Sequence, residues 1–108
     1  MKNERKDIEA EWQEMLRNEA GTAPKSPDFK FFITTFSLQA AIFMGVIENP
    51  VTKKKEENLP QAKFIIDTLL VLKQKTNGNL NKMETETLDN LLYELRAQYI
   101  AKTAKKTS

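Results

Sequence analysis

At 108 residues, with 40% hydrophobic and 30% charged residues, the chain has the size and balance of one globular domain rather than of a disordered or membrane-embedded polymer. Its 17 lysines and arginines against 15 acids leave a net charge of +2, too small to imply a phosphate-binding face. There is no cysteine, which excludes disulfides, thiolate nucleophiles and cysteine-held metals, and no histidine, which removes the usual general base and the commonest transition-metal ligand.

The opening Met1-Lys2-Asn3-Glu4-Arg5-Lys6-Asp7 carries charges of both signs with no apolar run behind it, so no secretory signal is expected and the cytoplasm is the default compartment. From Lys2 to Ala20 helix formers predominate, and Ile8, Trp12, Met15 and Leu16 make one narrow apolar stripe. Residues 1–20 therefore read as an amphipathic leader helix, which either lies against the domain, docks onto another protein, or folds only when bound. Gly21-Thr22-Ala23-Pro24-Lys25-Ser26-Pro27 breaks that helix and reads as a linker over 21–27.

The domain is expected over 28–102. Asp28 is placed to cap a helix from about Phe29 to Ile47. Phe29, Phe32, Ile33, Phe36, Ala40, Phe43, Met44 and Ile47 follow a helical period, while Phe31, Leu38, Ile42 and Val46 cover much of the opposite side. Such a helix is central to a bundle, buried between subunits, or in a membrane. Lys30, Thr34, Thr35, Ser37 and Gln39 interrupt it and argue for burial in a soluble assembly, with membrane association as the alternative.

After Glu48-Asn49-Pro50, the run Lys53-Lys54-Lys55-Glu56-Glu57 marks an exposed connection. Asn58 with Pro60 opens the next helix, whose buried face is Leu59, Ala62, Ile65, Ile66, Leu69 and Leu72, and Thr76-Asn77-Gly78 closes it. Asn81 and Glu84 form a capping box for the last helix, with Leu88, Leu91, Leu92, Leu95 and Tyr99 as its stripe. Residues 103–108 are expected to be a frayed basic tail. The fold class is thus all-α: a three-helix domain, made of a helical hairpin and a central apolar helix, preceded by the leader on its proline-containing linker.

Several of these residues form a collinear pattern: Asn49-Pro50, Ala62, Ile66-Asp67, Leu69, Lys75-Thr76, Gly78-Asn79-Leu80, Glu84, and Leu91 to Arg96 followed by Tyr99. Together they resemble the bacterial domain of unknown function 1844 family, over about Pro27 to Ile100, and the Met44-Gly45 step fits as well. The segment around Trp12 is similar to the variable leader of such proteins. Lys53-Lys54-Lys55 departs from the pattern, standing where a glycine-containing turn is typical. The resemblance implies a short helical bacterial chain and brings no activity, cofactor or site residue with it.

Asp67, Lys75, Asn79, Glu84 and Glu94 are the polar residues from which an active site would have to be built, and none has the company that catalysis requires. A bundle-type metal site would need Glu-x-x-His pairs, and the three glycines are isolated, so no phosphate loop exists. Lys53 to Lys55 and the tail from Lys102 to Lys106 are the basic segments, but neither interleaves aromatics, so weak nucleic-acid binding stands only as a further alternative and nucleic acid is not an expected partner. The expectation is a non-catalytic interaction module, with no cofactor or metal, that forms a homo-oligomer. Its candidate surface is Phe31, Leu38, Ile42 and Val46, with Trp12 as a site for an unidentified protein partner on the leader helix.

Overall fold

The computed structural model describes residues 4–18 and 28–107. Within them lie four helices and no strand: α1 (Glu4–Asn18), α2 (Phe29–Phe43), α3 (Leu59–Lys75) and α4 (Lys82–Thr107). The expected linker at 21–27 lies outside the described residues.

Local chemistry sets the helix starts as read from the sequence. The Asp28 carboxylate accepts the Phe31 N–H at 2.7 Å, and Asn58 Oδ1 accepts the Gln61 N–H at 3.3 Å ahead of Pro60. At α4 the capping box is reciprocal: the Glu84 N–H donates to Asn81 Oδ1 at 2.7 Å, and the Asn81 N–H donates to Glu84 Oε1 at 3.0 Å.

α2 stops a turn short of the expected Ile47. Gly45, at φ +76°, sends its N–H to the Ile42 carbonyl at 3.0 Å, and the Val46 N–H reaches the Ala41 carbonyl at 3.0 Å. This paired bonding closes a helix through a left-handed residue, and it overrides the apolar period that continues through Met44, Val46 and Ile47. Conversely, α4 runs through Thr107 instead of fraying at Lys102.

The connection from 44 to 58 is held by Asn49, whose side chain accepts from the Val51 N–H at 2.8 Å and whose backbone bonds both Lys53 and Lys54. Lys53 takes φ +62°, a left-handed conformation that residues other than glycine seldom adopt. The Asn58 N–H then donates to the Phe43 carbonyl at 2.7 Å, joining the start of α3 to the end of α2.

α2 packs on α3 and α4, and α1 lies across α2 and α4. The core runs through all four helices, from Ile8 and Trp12 through Ile33, Ala40, Ala41 and Met44 to Leu69, Leu88 and Leu95. The hydroxyls on α2 do not oppose this burial. Thr34 Oγ1 donates to the Lys30 carbonyl at 2.7 Å and Ser37 Oγ to the Thr34 carbonyl at 2.7 Å, so each is satisfied within its own helix. Surface ion pairs Glu11–Lys30, Asp89–Lys73 and Glu57–Lys102 tie elements together at 2.7–3.3 Å, and each contributes about 0–1 kcal/mol.

The two left-handed glycines predict a graded response. An alanine costs about 1–2 kcal/mol at either from backbone conformation alone. At Gly45 the new Cβ would also meet Glu57 Cγ at 3.0 Å, whereas nothing lies within 4 Å at Gly78. Gly45→Ala is therefore the more damaging change, and equal shifts of the urea midpoint would contradict this geometry.

Candidate interaction surface

The structure redistributes the five residues expected to form a binding surface. Trp12 is 0% exposed: its ring sits in the core, and its indole N–H donates to Ser37 Oγ at 2.8 Å. A buried Trp requires such an acceptor, and Ser37 can supply one while donating onward to Thr34. Leu38 is buried as well, and Ile42 and Val46 are half-buried against the core. Phe31, 42% exposed, is the member that remains at the surface. The apolar second side of α2 thus faces neighbours within the chain. α1, although mostly charged, brings Ile8 and Trp12 to the core and packs Met15 and Leu16 against it.

The polar residues weighed for chemistry have separate structural tasks. Asp67 accepts from Lys63 Nζ at 2.8 Å on the surface of α3. That hydrogen bond, and then the carboxylate's charge, hold the lysine above its ordinary ammonium value, but the pair is exposed and braces one helix face. Glu84 caps α4, Glu94 accepts from Gln98 Nε2 at 2.6 Å, and Lys75 and Asn79 are exposed. Gln98 itself is buried, with its Oε1 lacking a hydrogen-bond partner. Among the described residues no group of three acids could hold a metal ion.

A cleft of about 60 Å³ lies at the α3–α4 turn, lined by Lys73, Thr76, Asn77, Gly78, Leu80, Thr85, Leu88 and Asp89. It is well below the several hundred Å³ of a small-molecule site. Lys73 is also engaged by Asp89 at 2.7 Å. Among the described residues no helix is long and apolar enough to cross a membrane.

The outer faces carry what sequence reasoning missed. Phe32 stands exposed beside Phe31, its ring 5.1 Å from Phe36 edge-on and 6.4 Å from Phe29. Phe64 and Val71 are exposed seven residues apart on α3. On α4, Met83, Tyr93 and Ile100 are exposed at 61%, 75% and 64%. The signal for α4 was present as apolar residues out of phase with Leu88, Leu91, Leu92 and Leu95, once those four had accounted for one face.

A family model described as "Domain of unknown function (DUF1844)" matches residues 26–101. No curated protein and no solved structure matches the chain.

Proposed function

The chain belongs to the DUF1844 family, and from that premise and the surface just described we propose that it acts by binding rather than by catalysis, as a helical module that self-associates. The observation that supports this reading is the set of large apolar side chains on outer helix faces, Phe31 and Phe32 on α2, Phe64 and Val71 on α3, and Met83, Tyr93 and Ile100 on α4. Single exposed apolar residues are ordinary on a protein surface, but aligned ones on the same helix face mark a contact region. The candidate surface on α2 shrinks to its first turn, because Leu38 lies inside and Ile42 and Val46 are half-buried.

On this reading the three-helix domain is the working unit, α1 is a clasp on it, and a homo-oligomer is the functional state in a cytoplasm whose reducing conditions a cysteine-free chain tolerates. Absolute mass by light scattering after gel filtration, in detergent-free buffer over a range of concentrations, tests it. A discrete dimer or larger assembly is expected, and a monomer at every concentration would overturn self-association.

A further inference from the structure

A net charge of +2 is an average, and the fold does not spread it evenly. Two ion pairs mark the ends of the α3–α4 pair: Lys73 with Asp89 beside the turn that joins the helices, and Lys102 with Glu57 at the other end, 3.3 Å apart across 45 residues of chain. The second contact sets the loop bearing Lys53, Lys54 and Lys55 beside the last turns of α4, where Lys105 and Lys106 follow Lys102. Both basic segments of the sequence therefore share one end of the molecule. They bring six lysines, against Glu48, Glu56 and Glu57 close by, while the rest of the chain holds one more acid than it has bases. The whole surplus of positive charge sits at this end.

Backbone structure presents these lysines. The Asn49 N–H donates to the Lys54 carbonyl at 2.9 Å and the Lys53 N–H to the Asn49 carbonyl at 2.8 Å, which closes the loop into a defined turn. α4 stays helical through Thr107, so its lysines ride on a rod. Lys53, Lys54 and Lys55 are exposed, and among the described residues none of them makes an ion pair or a side-chain hydrogen bond. The same turn lifts Val51, which at 86% is the most exposed large apolar side chain described.

An ammonium attracts anions as a point charge, without the bidentate fork by which arginine selects a phosphate or a base edge. No arginine and no aromatic ring lies in either basic segment, so nothing in them would stack on a base. An aliphatic tip among lysines suits a surface that is negative outside and apolar beneath. We propose that this end, formed by Lys53 to Lys55 with Lys102, Lys105 and Lys106, binds an anionic phospholipid surface, with Val51 entering the headgroup layer. The contact is peripheral, needs no spanning helix, and does not depend on self-association.

Co-sedimentation of the full chain with vesicles tests it. At low salt the chain should pellet with phosphatidylcholine vesicles that contain phosphatidylglycerol, stay in solution with phosphatidylcholine alone, and be released by added salt. Lys54→Gln/Lys55→Gln should weaken the partition about fivefold for each lysine removed. Lys75→Gln/Lys82→Gln removes the same charge from exposed positions flanking the α3–α4 turn and should change it little, with circular dichroism confirming that both variants stay helical. Equal weakening by the two pairs would overturn the placement at this end. Val51→Ser should also weaken binding, and an unchanged partition would overturn its insertion. Absence of binding to phosphatidylglycerol vesicles at low salt would overturn the proposal, and a chain that ignores them while retarding a duplex RNA would reassign the lysines to nucleic acid.

Discussion

Trp12→Ala should lower the unfolding free energy by about 3–5 kcal/mol, the cost of removing a buried large aromatic side chain from a core. Trp12 is 0% exposed, so its loss removes the anchor of α1 and leaves Ile8 as the other buried residue of that helix among those described. The hydrogen bond is the smaller part of the effect. Ser37 Oγ keeps its own donation to the Thr34 carbonyl when the indole is gone, and only an acceptor position is left unused. Trp12→Phe, which retains most of the apolar volume, should therefore cost far less than the alanine change, with about 1 kcal/mol of it due to the lost bond. Urea unfolding followed by circular dichroism measures both. A loss under about 1 kcal/mol for the alanine variant would mean that α1 does not lie on the domain in solution.

The second large effect is expected at Leu95, fully buried on the core face of α4. Leu95→Ala should cost about 2–5 kcal/mol through lost burial and the cavity left behind. In a domain of this size that lowers the thermal midpoint by roughly 4–8 °C for each kcal/mol. Leu95→Met conserves volume and should cost less than about 1.5 kcal/mol. Calorimetry on the two variants separates a packed core from a merely collapsed one, because similar midpoints for both would show that shape at this position does not matter.

What the sequence made legible was the local chemistry. Asp28, Asn58, the Asn81–Glu84 pair and the Thr76-Asn77-Gly78 stop act within a few residues of themselves, so their type and spacing suffice to place helix ends. α2 ended early because two local signals conflicted there. Apolar residues continued through Ile47, but Gly45 offered a left-handed closure, and hydrogen bonds from Gly45 and Val46 back to the helix decided the matter.

The candidate surface was harder to read because it depends on what covers what. Leu38, Ile42 and Val46 read as surplus only if three helices share the core. α1 adds a fourth partner, and its narrow stripe gave little indication that Trp12 would reach Ser37, 25 residues away in the chain. α4 erred in the other direction. Its core stripe was complete enough that the residues opposite it looked like ordinary surface, although Tyr93 and Ile100 stood out of phase with it in the sequence.

The contact between Trp12 and Ser37 makes α1 in effect a ligand carried by its own receptor. Nine residues separate the end of α1 from Asp28, so α1 meets its slot as part of the same chain, whatever the amount of protein in solution. Dilution cannot remove such a ligand. Any outside helix that would take the slot beside Ser37 has to displace a competitor carried on the same chain, so its occupancy depends on its own concentration and affinity and not on how much of this protein is present.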